Sequence, residues 1–177
     1  DINVNANIGT TGTRFNHDLT LDAGNDVNIN ASIYMGTNTL TMSGNSIFVS
    51  KLANTGDVIV DTLGNIFVTA GTLVVQGGTA NIPAFVGCIP CTVTANAALL
   101  AGGNITLDVG TGGLSILGGN ATANANAGET AVAEANATVT AGGNLTITAS
   151  GLVVVMGGGV DARASSGAAT ATASANA

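Results

Sequence analysis

The sequence predicts an all-β protein, a single parallel β-helix (β-solenoid) domain over residues 1–177, on the strength of three observations. Five asparagines each follow a glycine and open an apolar run: Asn25, Asn45, Asn65, Asn104 and Asn144. The intervals between them equal one or two units of a repeat of about twenty residues. The residues after each asparagine alternate between apolar and polar, which is typical of strands. The sequence is also dense in Gly, Thr, Asn and Val, all poor helix formers, and shows no sustained helical spacing, so helices are not expected. A short repeat that cannot bury its apolar face alone predicts stacked coils.

Residues 1–76 are predicted to form regular coils of about twenty residues, each with two or three short strands. Glycine and asparagine tolerate the left-handed backbone of a sharp bend. We therefore interpret Gly24-Asn25, Gly44-Asn45 and Gly64-Asn65 as one corner that recurs on successive coils. The stacked asparagines are expected to hydrogen-bond along the axis, as Asn ladders do in cross-β stacks.

Residues 77–100 interrupt the repeat and are predicted to be a loop inserted in a coil. Both prolines of the chain lie here, and proline cannot donate to a sheet ladder. The only two cysteines, Cys88 and Cys91, are interpreted as a small disulfide formed in an oxidising compartment. A redox-active pair lacks a nearby helix or lysine, and a zinc site would need further ligands where His17 is the only histidine.

Residues 101–177 are predicted to form two 40-residue repeats, each with one apolar coil and one alanine-rich β-hairpin or coil. Alanine occupies nearly every second position from 121 to 138 and again from 168 to 177. Alanine buries little apolar surface, so these strands must rely on close sheet packing and backbone ladders. They are therefore candidates for contacts between subunits.

The composition excludes several classes of function. Only 7% of the residues are charged and 3% aromatic, and the net charge is -7 without a basic patch, so no nucleic-acid partner is expected. The apolar run at 152–156 is too short to span a membrane, which takes roughly 20 residues. Carboxylates are scattered, so we expect no enzyme, no cofactor and no metal site.

Three weaker patterns have simpler explanations. Asp22 and Asp26 with Asn28 resemble a weak calcium site, although solvated turn residues explain them better. Thr-x-Thr pairs of the kind that order ice do not recur on every coil, and outward threonine is ordinary in strands. Matches to the glycosylation pattern Asn-x-Ser/Thr follow from the strand pattern itself and leave modification open: Asn30, Asn104, Asn120, Asn136 and Asn144.

Three runs, at residues 23–31, 101–107 and 141–150, resemble the haemagglutinin-type repeats of filamentous-haemagglutinin-like exoproteins of Gram-negative bacteria. The resemblance covers most of residues 19–75 and 100–160. It implies a right-handed parallel β-helix, export by a two-partner or autotransporter-like route, and a role in adhesion, aggregation or biofilm. The Asn-Pro motifs of that family's secretion domain are absent, so the resemblance is to a repeat segment of the rod.

The expected function is that of a secreted structural protein, a subunit or rod segment of a bacterial surface filament or adhesin. Its ends expose unpaired backbone groups, so end-to-end or strand-addition contacts with further copies are expected. The alternative is a passenger segment that binds host or cell-surface glycans. Its aromatic candidates are Phe15, Tyr34, Phe48, Phe67 and Phe85, of which Tyr34 and Phe85 are the ones to mutate. A carbohydrate-active β-helix enzyme is a remote third possibility. The residues predicted to mediate assembly lie near both ends: Ile2, Val4, Ala169, Ala171, Ala173 and Ala175.

Overall fold

The computed structural model describes residues 1–50, 56–82, 91–125, 130–164, 170–174 and 176. Every regular element in this part of the chain is a β-strand, which confirms the all-β class. The strands are β1 (Ile2–Val4), β2 (Leu19–Asp22), β3 (Asp26–Ile29), β4 (Ile33–Met35), β5 (Leu40–Ser50), β6 (Val58–Thr62), β7 (Ile66–Gln76), β8 (Thr79–Ile82), β9 (Cys91–Thr94), β10 (Ala97–Ala101), β11 (Ile105–Leu117), β12 (Asn120–Ala125), β13 (Thr130–Glu134), β14 (Ala137–Ala141), β15 (Leu145–Ala149), β16 (Val153–Met156), β17 (Val160–Ala164) and β18 (Thr170–Ser174).

The strands form four parallel sheets. The first sheet follows the order β1-β3-β5-β7-β11-β15, with β2 also on β5 and β16 also on β11. The second sheet is β14-β10-β6-β4, the third is β17-β12-β8, and the fourth is β18-β13-β9. Each strand thus pairs with strands that come much earlier or later in the chain, and strands that follow one another in sequence join different sheets or different parts of one sheet.

The register shows how far the chain travels before it stacks on itself. We call the difference in residue number between two paired residues the stacking step. Leu19 pairs with Leu40, a step of 21, and Leu40 pairs with Ile66, a step of 26. Ile66 then pairs with Ile105 and Ile105 with Leu145, steps of 39 and 40. We call β10–β13 (residues 97–134) the preceding level and β14–β18 (residues 137–174) the terminal level.

Residues 1–76 are less regular than the predicted twenty-residue coils. Their stacking steps range from 20, for Asp26 with Ser46, to 27, for Ile33 with Val60. Steps of 20 and 21 join β3 and β2 to β5, whereas steps of 25 to 27 join β1 to β3, β5 to β7 and β4 to β6, so successive turns of the stack differ in length. The constant spacing of the first three Gly-Asn pairs therefore does not correspond to a constant stacking step.

The five asparagines consequently do not form the single corner that the sequence predicted. Asn45 lies beside Asn25, whose carbonyl oxygen accepts its backbone N–H. Asn65 lies instead at the corner before Leu40, where its carbonyl oxygen accepts the Leu40 N–H at 3.0 Å. It begins a second column, which continues through Asn104 and Asn144.

Residues 77–100 differ from the predicted inserted loop. They contain β8, β9 and most of β10, which pair in parallel with β12, β13 and β14. The stacking steps are the same as those of the neighbouring apolar strands to within one or two positions, as in Ala97 with Ala137. Both prolines and Cys88 lie in 83–90, outside the described residues. The described residues 77–82 and 91–100 therefore belong to the repeat, although a Gly-Asn pair does not mark them.

Two clusters of buried side chains lie between the sheets. The larger, which we call the apolar body, is formed by Ile, Val, Leu and Met side chains of the first two sheets. The smaller, the alanine lobe, lies between the third and fourth sheets, and its buried members are all alanine: Ala80, Ala95, Ala121, Ala123, Ala131, Ala133 and Ala135. Its strands β12 and β13 pair with strands of neighbouring levels and not with each other, so they are stacked strands and not the hairpin that was one of the two sequence alternatives.

The alanine lobe joins the apolar body through a narrow neck of glycines. The chain enters the lobe at Gly78 and Gly119 and leaves it at Ala95 and Ala135. The two passages are hydrogen-bonded, with Gly78 N–H donating to Ala95 O at 2.7 Å and Gly119 N–H donating to Ala135 O at 2.8 Å. A Cβ on Gly118 would lie 2.6 Å from Gly158 N and 2.7 Å from Asn176 O, so successive necks stack too closely for a side chain.

We expect Gly118→Ala to destabilise the protein by about 1–3 kcal/mol, because the added methyl overpacks rigid backbone. The matched control is Gly24→Ala, where a Cβ would meet nothing within 4 Å. It should change stability by less than about 1 kcal/mol. Urea unfolding followed by circular dichroism measures both, and equal effects of the two variants would contradict the close stacking of the necks.

Candidate assembly surface

The terminal level forms an open end of the stack. Among the described residues, β14, β15, β16, β17 and β18 each pair on one side only, with β10, β11, β11, β12 and β13 respectively. Within the same ranges, their other edges present unpaired backbone N–H and C=O groups. Such an edge is a template for another strand.

Apolar side chains that are buried in the preceding level are exposed in the terminal level. Ile105 and Leu107 are 0% exposed, whereas their partners in the register, Leu145 and Ile147, are 44% and 41% exposed. The same holds for Leu114 at 0% against Val153 at 47%. These side chains keep the alternation of a core-facing strand, so their exposure results from the missing neighbour and not from a polar environment.

The terminal level also lacks the devices that usually protect open edges. Soluble proteins block edge strands with lysine, proline or inward-facing charges. The only charged residues between 137 and 176 are Asp161 and Arg163, and this stretch contains no proline. A neutral, apolar set of open edges is a surface suited to association.

Side-chain oxygens bind the backbone of the next level along two columns of polar residues. In one, Asn65 Oδ1 accepts the N–H of Asn104, and Asn104 Oδ1 accepts the N–H of Asn144, both at 2.8 Å. The other runs from Asp57 at the start of β6 and has the same geometry, with distances of 2.8–3.0 Å: Asp57, Asn96, Asn136 and Asn176. These bonds join side chain to backbone, and at the last step of the second column the Asn176 side-chain amide also donates to Asn136 Oδ1 at 3.2 Å.

The column that runs from Asp57 to Asn176 was not predicted from the sequence, although a repeated triplet marks three of its positions. The triplet Ala-Asn-Ala recurs at residues 95–97, 135–137 and 175–177, at a constant interval. Several of the asparagines that match the glycosylation pattern use their side chains in hydrogen bonds between levels. Asn104 and Asn136 use their side-chain oxygen within the stack, and Asn30 donates its amide to Asn5 Oδ1 at 3.0 Å.

The predicted assembly residues near the start of the chain lie in β1. Ile2 is half-buried and Val4 is buried, and both pair with β3. Arg14 lies in the loop between β1 and β2 and binds this loop to the stack. Its Nη2 contacts Asp61 Oδ2 at 2.6 Å, and its Nη1 donates to Met35 O at 2.9 Å. The hydrogen bond to Asp61 raises the pKa of Arg14 above its usual value. This end of the stack is therefore held both by polar contacts and by the packing of Ile2, Val4 and Phe15 against the apolar body.

The predicted assembly residues near the end of the chain are only partly described. Ala171 and Ala173 belong to β18 and pair with Ala131 and Ala133. Ala169 and Ala175 lie outside the described residues, as does Cys88. Cys91, the other cysteine, is disulfide-bonded and sits at the start of β9.

The aromatic residues do not converge on one site within the described chain. Phe67 is 42% exposed and faces outward on β7, between Thr41 and Thr106 of the neighbouring strands. Tyr34 is half-buried on β4, and Phe85 lies outside the described residues. Phe15 packs edge to face against His17, with ring centroids 5.8 Å apart.

The described residues offer little for chemistry. A shallow polar cavity of about 120 Å³ lies at the neck, lined by backbone glycines and by Ser50, Gln76, Thr79 and Asn120. The part of the chain that the structure covers contains no group of three or more His, Cys, Asp or Glu side chains able to hold a metal ion. Nor does any described segment form a helix with the length and apolar character needed to span a membrane.

A scan against protein-family models found no match, and searches of curated proteins and of solved structures found none either. The function must therefore be argued from the surface itself.

Proposed function

We propose that this chain is a non-catalytic structural protein, a β-solenoid rod segment of a secreted bacterial surface filament or adhesin. Its work is mechanical. The stack is extended by strand addition at its open end, where another copy of the chain covers the apolar side chains. The resemblance to haemagglutinin-type repeats suggests the class of exoprotein, and the parallel register, which stacks Leu145 on Ile105 and Ile105 on Ile66, supports a solenoid.

The observation that carries this proposal is the exposure of core-facing side chains on the terminal level. Burying about 25 Å² of apolar surface contributes roughly 0.6 kcal/mol, and several side chains of this level are each about half exposed: Leu145, Ile147, Val153, Val155, Met156 and Val160. New backbone hydrogen bonds along five edges would add geometric specificity.

We expect the purified protein to associate, and Ile147→Lys to weaken that association by at least about tenfold, because an unpaired ammonium would have to be buried in the contact. The variant should still fold, since Ile147 is already 41% exposed. Sedimentation velocity over a range of concentrations and negative-stain microscopy give the mass and the length of the particles.

Thr148→Gln is the matched control for this experiment, because it enlarges the neighbouring side chain without placing a charge on the open edge. Thr148 is the next residue on the same strand, faces outward, and pairs with the exposed Asp108. This variant should associate as the unmodified protein does. A protein that remains a single rod at every concentration, or equal losses in the two variants, would contradict assembly through the terminal level.

A further inference from the structure

The polar cavity at the neck is formed where the outer faces of the first and third sheets meet. Ser50 and Gln76 pair with each other at the ends of β5 and β7, and Thr79 and Asn120 pair with each other at the starts of β8 and β12. The glycines of the neck run between these two pairs of residues and form the floor. The described lining ends at Asn120, so none of it belongs to the terminal level.

The glycine floor is fixed by the close approach of successive levels. A Cβ on Gly77 would lie 2.8 Å from Gly119 N, and a Cβ on Gly119 would overlap Gly78 O. Side chains are therefore excluded from this strip of backbone, and the space above it stays open. A strip without side chains offers a flat surface to a ring-shaped ligand.

The backbone N–H groups of the floor are already used within the fold. Five lining positions donate to carbonyl oxygens at 2.7–3.0 Å: Gly77, Gly78, Gly118, Gly119 and Asn120. The floor consequently lacks the free N–H groups with which backbone nests bind phosphate and other anions. None of the described residues that line the cavity is charged, so the carboxylates that a calcium ion prefers are missing from it as well.

The four polar side chains of the cavity are not engaged by the rest of the described chain. Ser50, Gln76, Thr79 and Asn120 form no hydrogen bond with another described residue. Ser50 is only 4% exposed, and it faces the cavity because its neighbour Val49 points into the apolar body. A buried hydroxyl group without a partner is costly, so a polar ligand in the cavity would satisfy it.

We infer that the neck cavity binds one sugar residue, a neutral ring that carries several hydroxyl groups. Hydroxyl and amide side chains both donate and accept hydrogen bonds, as sugar hydroxyl groups do. The cavity volume of about 120 Å³ is several times the roughly 10–15 Å³ that one water molecule needs, which is more than a bare metal ion fills. The apolar face of the ring lies on the glycine floor. This site is separate from the terminal level and does not depend on assembly.

Saturation-transfer difference NMR tests this inference, because it detects weak binding to large particles. The probes are glucose, galactose, mannose and N-acetylglucosamine, each as the free sugar and as the methyl glycoside, with glucuronate and glucosamine as charged comparisons. At least one neutral probe should bind with a dissociation constant of the order of millimolar, and the charged sugars should bind more weakly. Equal binding of the methyl glycoside would indicate the end unit of a glycan, whereas a preference for the free sugar would indicate an unattached monosaccharide.

Thr79→Val removes one hydroxyl group of the site with little change of shape. Thr79 is exposed, so the variant should fold. Binding should weaken by about fivefold, because one uncharged hydrogen bond is lost. Thr69→Val is the matched control, since Thr69 is an equally exposed residue of β7 that does not line the cavity. It should bind the sugar as the unmodified protein does.

Ser50→Ala adds a readout that a structural role would move. It should weaken binding by a similar factor without lowering the urea midpoint of unfolding, because the hydroxyl group has no partner in the described chain to lose. The absence of binding by every neutral probe, equal losses in Thr79→Val and Thr69→Val, or a lower midpoint for Ser50→Ala would each overturn the inference. Sedimentation measures assembly independently, so either proposal can fail while the other stands.

Discussion

Leu107→Ala is expected to destabilise the protein by about 3 kcal/mol, within the roughly 2–5 kcal/mol typical of removing a large side chain from a closed core. Leu107 is 0% exposed in the middle of the apolar body, where β11 is covered by β7 on one side and β15 on the other. The ladders to these two strands hold the backbone at fixed spacing, so the cavity cannot collapse. Denaturant unfolding measures the difference.

The corresponding truncation one level further on, Ile147→Ala, provides the control. Ile147 occupies the same column but is 41% exposed. Its loss should cost less than about 1 kcal/mol in a dilute monomer, and more at concentrations where the terminal level is covered. Equal effects of the two truncations in the dilute protein would show that the terminal level is already buried by something within the chain.

Ala133→Leu should unfold the alanine lobe while the apolar body stays folded. Ala133 is 0% exposed between the third and fourth sheets, where the buried members of the cluster are alanines and Val93, its partner in the register, packs against them. Sheets whose buried side chains are mainly alanine methyl groups lie closer than the roughly 10 Å of ordinary packed sheets. A leucine there costs more than the roughly 1–3 kcal/mol usual for overpacking, since no cavity can receive it.

Val132→Leu, at the adjacent position, is the control. It distinguishes overpacking inside the alanine lobe from a disturbance that any larger side chain on β13 would cause. Val132 is half-buried and faces outward, so a longer side chain meets solvent. Hydrogen exchange followed by mass spectrometry should show lost protection in β12 and β13 for Ala133→Leu, with β11 unchanged, and normal protection for Val132→Leu. Loss of protection throughout the chain would mean that the lobe and the body unfold as one unit.

The strands and their inward faces were accessible from the sequence because they depend on local alternation. Ile105 and Leu107, or Val58 and Val60, are separated by one position and are all buried. The alanine-rich strands were also recognised, since alanine at every second position has few other interpretations. These predictions required only the period of two that any strand imposes.

The stacking step was harder to predict, because it depends on the number of residues in the segments that connect the paired strands. Asn65 follows Asn45 at the same interval as Asn45 follows Asn25, but β5 and β7 pair with a step of 26, so equal spacing concealed two different columns. The Ala-Asn-Ala column at 96, 136 and 176 was visible but lacks the glycine that marks the other column. Open ends were expected, but the exposure of Leu145 was not predictable, because Leu145 has the same local pattern as the buried Ile105.

The hydrogen bonds between side chains and backbone give the stack a direction. Within the described ranges, nine bonds run from a backbone N–H to a side-chain oxygen of a neighbouring level, and in each the acceptor lies nearer the start of the chain, from Asp1 beside Asp26 to Asn136 beside Asn176. Each turn of the chain therefore finds its acceptors already in place on the turn before it. Such a molecule can fold vectorially, one turn at a time, beginning at its amino terminus.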